Sequence, residues 1–168
     1  MTIGGDDTTT AFIGTISGAG GIIKNGLGTL TLNSANLFTG GSTVSDGMLK
    51  VGNAQALGTG GLTVNGGTLD LNNFSITIPS LSGAGGAISN NAAGGGARIL
   101  TVNQVSTSTF AGIIQNGVAG AVALVKGGSG NLTLSNTSAY TGATSISSGT
   151  LTVNGSLAAA GNVNVAGG

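Results

Sequence analysis

Short apolar strings with one polar residue inside recur along the chain: Leu30-Thr31-Leu32, Leu49-Lys50-Val51 and Leu69-Asp70-Leu71. An apolar–polar–apolar triplet has period two, the signature of a strand with one side buried and the other wet. The first residues of these three strings are 19 and 20 positions apart (49 − 30 and 69 − 49). Leu62-Thr63-Val64, Ile76-Thr77-Ile78 and Leu100-Thr101-Val102 repeat the pattern, in a setting rich in Gly, Asn, Ser and Thr. Such short strings between turn formers predict short strands joined by tight turns.

Two all-β architectures offer short strands with frequent turns. A sandwich or up-and-down barrel is one. A parallel β-helix is the other, and it asks for the same inward pattern every 19 or 20 residues, which sandwiches and barrels rarely need, because each coil stacks on the last in register. The β-helix is therefore the predicted fold, as one segment over residues 1–168. In it Leu30, Leu49 and Leu69 form one inward stack, and Leu32, Val51 and Leu71 form the stack beside it. Thr31, Lys50 and Asp70 then point to solvent, with Lys50 next to Asp70. An exposed pair of that kind contributes only about 0–1 kcal/mol.

A longer repeat overlies the short one. KNGLGTLTLNSANLFTGGSTVSDGMLKV at 24–51 returns as KGGSGNLTLSNTSAYTGATSISSGTLTV at 126–153, an offset of 102 (126 − 24). At this offset Leu30 meets Leu132, Leu32 meets Leu134, Phe38 meets Tyr140, Val44 meets Ile146, and Leu49 meets Leu151. Upstream, FIGTISG at 12–18 resembles FAGIIQNG at 110–117; downstream, LTVNGG at 62–67 resembles VNVAGG at 163–168. The internal units are taken as 12–109 and 110–168, the second truncated.

Composition narrows the setting. Gly is 35 of 168 residues, without the strict three-residue period of collagen and with too many β-branched strings for a flexible linker. Turn glycines in a β-rich fold account for it. Charge is sparse and balanced: Lys24, Lys50, Arg98 and Lys126 against Asp6, Asp7, Asp46 and Asp70. Four scattered cations cannot form the basic stripe that nucleic acid requires. Little charge also means little repulsion between copies, which points to end-to-end or lateral self-association. There is no Cys, which suits a chain that crosses a periplasm unfolded. MTIGGDDTTT lacks the basic start and apolar core of a signal peptide, and no apolar run approaches the roughly 20 residues of a membrane helix.

The repeat GLGTLTL…FTG…V…GMLKV at 26–51 and GSGNLTL…YTG…I…GTLTV at 128–153 resembles the autotransporter-associated β-strand repeat of bacterial type V passenger domains. That resemblance implies a right-handed parallel β-helix, exported through the outer membrane to the cell surface or released from it. It implies a structural stalk that assists translocation and folding, with a part in adhesion to an unknown host or cell-surface receptor. The family's C-terminal outer-membrane β-barrel and its export signal do not read out of this sequence, so a fragment or borrowed module is expected. The alternative is a fibre subunit stacking head to tail through open solenoid ends, since GNVNVAGG at 161–168 carries no cap signal.

Catalytic chemistry is hard to assemble from these residues. Without His there is no Ser-His-Asp triad. Glycoside hydrolysis needs two close carboxylates, whereas Asp6 and Asp7 share a tail and Asp46 and Asp70 stand alone; Arg98 and Lys50 have at most Asp70 for company. Zinc's usual Cys and His ligands are missing. GGSG at 127–130 and AAGGGA at 92–97 lack the Asp of calcium-binding β-rolls. The GAGG strings at 18–21 and 83–86 lack the Lys-Ser/Thr ending of a phosphate loop. No enzymatic role, cofactor, metal or catalytic residue is expected. The Asn-x-Ser/Thr sites at Asn73, Asn131, Asn136 and Asn154 are assigned no role. Lys24 and Lys126 are expected as solvated caps of a rung, with a phosphate or glycan contact as the other reading. Phe38 and Tyr140 are expected to be buried packing residues, with sugar stacking as the other reading.

Overall fold

The computed structural model of the chain describes residues 1–118, 120–158 and 162–165. Every regular element among these is a strand, and every strand pairs in parallel with its neighbours. Parallel pairing excludes the antiparallel sandwich. The result is a β-solenoid of about 8 turns.

Each turn visits three faces in a fixed order. Face 1 holds Thr2–Ile3, Ile22–Lys24, Ser42–Val44, Leu62–Val64 and Leu81–Ser82. A bridge between Gly83 and Phe110 carries it on to Ser108–Phe110, Asn131–Leu134 and Thr150–Val153. Face 2 holds Thr10–Phe12, Thr29–Leu32, Met48–Val51, Thr68–Asp70, Ala87–Ser89 and Ile113–Ile114. Bridges from Gln115 to Ala139 and from Ser138 to Leu157 extend it. Face 3 begins with Ser17–Gly18 and Leu37–Phe38, is interrupted by a turn at residues 54–57, and resumes with Ile76–Ile78, Arg98–Asn103, Val122–Gly127, Thr144–Ile146 and Val163–Val165.

The predicted stacks form. Leu30, Leu49 and Leu69 are register partners and continue through Ile88 to Ile114. All five are buried, as are Leu32, Val51 and Leu71 in the row beside them. Burying one such side chain contributes about 1.5–3 kcal/mol. A turn gains this only by docking on its neighbours, which is why a single turn is not a folding unit.

Two outward assignments hold and one does not. Thr31 and Lys50 are half-buried on the outer side of face 2. Asp70, expected in solvent, is 1% exposed. Lys50 is its register partner, but its Oδ1 accepts the backbone N–H groups of Asn72 at 2.9 Å and Asn91 at 2.8 Å. The cause is local: Asn72 and Asn73 turn the corner at positive φ (46° and 66°), a conformation Asn tolerates, and the turned amides need an acceptor.

The long repeat is out of phase with the solenoid. From Leu30 on face 2, four full turns pass Leu49, Leu69 and Ile88 to reach Ile114. From Ile114 the chain reaches Leu124 on face 3 and then Leu132 on face 1. So 102 residues span four turns and two faces, and the second copy sits one face earlier than the first. Phe12 on face 2 matches Phe110 on face 1, and Leu62 on face 1 matches Val163 on face 3, with the same displacement. The end of that last match, 166–168, lies outside the described residues. The chain uses the extra length in long corners between faces 2 and 3, from Ser89 to Arg98 and from Ile114 to Val122.

Candidate functional site

Lys24 and Lys126 depart most from expectation. Neither is a solvated cap: they are 1% and 0% exposed. Alternation explains it. In Ile22-Ile23-Lys24 the lysine shares the inward side with Ile22, and in Leu124-Val125-Lys126 it shares it with Leu124. Lys24 stacks between Ile3 and Val44, and Lys126 between Val102 and Ile146. That parity was readable in the sequence.

A buried ammonium needs acceptors for three donors, and both lysines find them at matching positions. Lys24 Nζ donates to the carbonyls of Asn25 (2.7 Å), Gly26 (2.6 Å) and Asp46 (3.4 Å). Lys126 Nζ donates to those of Gly127 (2.7 Å), Gly128 (2.9 Å) and Ser148 (3.2 Å). All three acceptors correspond at the offset of 102. Two belong to the corner that follows the lysine; the third belongs to the same corner one turn later. Each lysine is therefore a clip between consecutive turns.

The corners are shaped for the clip. Gly26 and Gly128 have φ of 72° and 71°, and Gly47 and Gly149 have φ of 57° and 67°. A Cβ on Gly149 would press on the Gly128 carbonyl and come within 2.9 Å of Lys126 Nζ. Burial pushes both ammonium groups below the ordinary lysine pKa; for Lys24, the carboxylates of Asp7, Asp46 and Asp6 oppose the shift.

Phe38 and Tyr140 are buried packing residues, as expected, at 1% and 2% exposure. Each is followed four residues on by a hydroxyl side chain, Ser42 and Thr144. Tyr140 Oη and Thr144 Oγ1 are hydrogen-bonded at 2.7 Å, while Ser42 donates to the Leu57 carbonyl at 3.1 Å. Burial raises the Tyr140 pKa, against a smaller lowering by Thr144.

The outer side of face 1 carries a row of hydroxyls. Thr43, Thr63, Ser82, Thr109, Thr133 and Thr152 follow one another on successive turns. Thr63 and Ser82 hydrogen-bond at 3.2 Å. Elsewhere, the missing face-3 strand of the third turn leaves a cleft of about 380 Å³ between Leu57–Thr59 and Ile76–Pro79, with Gln55 and Asn103 at its rim. Among the described residues no three His, Cys, Asp or Glu side chains converge. Lys50, Asp70 and Arg98 are not brought together as a catalytic group; Asp70 is committed to its amides, and Arg98 lies on face 3.

A family profile described as Passenger-associated-transport-repeat matches residues 22–51 and 124–153, the two clip-bearing segments. The chain is also 42% identical over 148 residues, 86% of its length, to the Adhesin BmaC autotransporter of Brucella suis biovar 1 (strain 1330). It spans about 4% of that protein's length. No solved structure matches it significantly. Each profile match begins two residues before a clip, so the chain carries two copies of the passenger-associated-transport-repeat on one solenoid.

Proposed function

We propose that the chain is a structural β-solenoid module of a passenger displayed on, or released from, the bacterial surface, with a non-enzymatic role as a stalk that supports translocation, folding and adhesion. The observation that carries this reading is the clip. The family repeat contributes one complete set of turn-to-turn fastenings, and it does so on whichever face it begins. A module of this kind adds length and rigidity wherever it is inserted. The adhesive part of the reading draws on the relative named as an adhesin. Its receptor is a partner outside this chain. Self-association belongs to the same reading, since only 5% of residues are charged and the net charge is zero.

The test is direct. Beads coated with the purified chain should adhere to host cells or extracellular matrix above uncoated beads. Rod-shaped scattering without adhesion would reduce the module to a spacer. End-to-end stacking into a fibre is a second reading, since successive turns pair in parallel and sparse charge leaves little repulsion between copies. Filaments of uniform width in electron micrographs would support it.

A further inference from the structure

We propose that the cleft on face 3, between the third and fourth turns, is a docking site for an extended, uncharged peptide that adds as a strand to the open edge of Ile76–Ile78. The site is read from that edge. It goes beyond the stalk reading and does not depend on it.

Face 3 has a strand in the second turn, Leu37–Phe38, and one in the fourth, Ile76–Ile78, but none in the third. Two turns rise about 9.6 Å, twice the strand spacing, so one strand is missing between them. The segment that runs there instead hangs from the second turn. The Asn36 N–H donates to the Gln55 carbonyl at 3.0 Å, and Asn36 Nδ2 to the Ala56 carbonyl at 2.7 Å. The Thr59 N–H donates to the Phe38 carbonyl at 2.9 Å. Ser42, at the start of the third turn, holds the Leu57 carbonyl. Among the described residues, 54–59 makes no hydrogen bond to 74–79. The fourth turn therefore keeps an uncovered edge, and Ile76–Ile78 is the edge strand of its sheet.

The backbone groups on that edge are identifiable. In Arg98–Asn103 the Arg98 N–H goes forward to Ala121, one turn on, and the Ile99 N–H goes back to Ser75 Oγ. Alternation sends Thr101 back as well, to Ile76 and Ile78, with Thr77 as its register partner. Ile76 and Ile78 thus direct their N–H and C=O groups to Arg98–Asn103. Thr77, between them, points its own the opposite way, into the cleft. A strand edge of this kind is satisfied by another extended backbone, the mode of recognition in which a peptide adds to a sheet.

The walls define the peptide. Pro79, the next residue of the Thr77 parity, has no N–H, so pairing centres on Thr77 and is short. Three residues, about 10 Å of strand, suffice, and the cleft of about 380 Å³ is of binding-pocket size. Leu57, Ile76 and Ile78 are 4%, 3% and 2% exposed; they already fill the interior, so side chains directed inward must be small. Gln55, Thr59, Ser75 and Asn103 supply polar contacts, and no charged residue lines the cleft, so a charged peptide would find no counter-ion. No aromatic ring lines it either, which removes the usual platform for a sugar.

The experiment is a nitrogen-15 NMR titration of the chain with a capped Ala-Thr-Ala-Thr-Ala peptide, up to about 10 mM, ten times a Kd of order 1 mM. The amides of Thr77, Gly58 and Thr59 should shift together and saturate, and hydrogen exchange at Thr77 should slow. The same peptide methylated on every internal backbone nitrogen should bind at least about tenfold more weakly, since it cannot donate to the Thr77 carbonyl. Thr77→Pro removes the cleft-facing N–H and keeps the bonds of Ile76 and Ile78; it should retain the circular dichroism spectrum and lose binding by a similar factor. Should that variant not fold, the methylated peptide on the wild-type chain decides alone. Cleft amides that stay fixed at 10 mM peptide, or equal binding of the methylated peptide, would overturn strand addition. Maltotriose shifting these amides where the peptide does not would make the cleft a saccharide groove and refute the proposal.

Discussion

Replacing Lys126 by Met tests the clip most directly. Methionine keeps the unbranched aliphatic stem and fits the apolar row between Val102 and Ile146. It removes the three donors that serve Gly127, Gly128 and Ser148. Hydrogen bonds to a charged group contribute about 1.5–3 kcal/mol each, so three near the low end come to about 5 kcal/mol. Against this, the variant no longer buries an ammonium, which returns a few kcal/mol. The net expectation is a loss of about 2–4 kcal/mol. For a chain of this size that lowers the melting temperature by roughly 5–15 °C. Lys50→Met, on the outer side of face 2, should change stability by no more than about 0.5 kcal/mol. Hydrogen exchange locates the effect: amides around Ser147 and Gly149 should lose protection before those near Leu49. A Lys126→Met chain that melts at or above wild type would show that burying the charge outweighs its hydrogen bonds, and the clip would not stabilise the fold.

Other outcomes follow from the same geometry. Leu49→Asp buries an unpaired charge at a site with 0% exposure and should leave the chain unfolded or insoluble, whereas Thr31→Asp on the outer side should fold; comparative melts decide. Gly149→Ala puts a methyl against the clip at φ 67° and should cost about 1–3 kcal/mol in thermal unfolding. The Tyr140 pKa is raised by folding, so its contribution is full below the ordinary tyrosine value near 10.0 and is lost as pH rises through the folded value. Tyr140→Phe should remove that alkaline loss in melts across this range. Lys126 has the opposite sign: its folded pKa is lowered from 10.5, so its contribution falls as pH drops through the folded value and is recovered toward 10.5. In Lys126→Met that part of the pH dependence should disappear.

Much of the fold is legible because stacking repeats one requirement every turn. Leu30, Leu49 and Leu69 each answer to the same neighbours, so spacing alone reveals their row. Residue type points Lys24 and Lys126 toward solvent, whereas their i, i+2 parity with Ile22 and Leu124 places them inside. Their acceptors are main-chain carbonyls, two in the corner that follows the lysine and one a turn later, which leave no side-chain signature. Asp70 misled for a related reason. Its partners are backbone amides, one from Asn72 in a left-handed corner and the other from Asn91, 21 residues away. The phase of the second copy was hidden because face 1 and face 3 accept the same apolar–polar–apolar string as face 2. The hydroxyl row was hidden likewise: Thr109 belongs to it through a single bridge between Gly83 and Phe110, after an irregular turn.

The one-face displacement between the two copies has a consequence for how such chains lengthen. A gear with three equivalent teeth per revolution can be advanced by one tooth and still mesh. Here an added or deleted stretch of one face, a third of a turn, re-indexes everything downstream while every inward position stays inward. Duplication breakpoints are then not restricted to whole revolutions. What a re-indexing does change is the compass bearing of each outward feature: gain or loss of one strand with its corner swings all later surface features to a new side without disturbing the core, whereas extra residues inside a corner such as Ser89 to Arg98 are absorbed there.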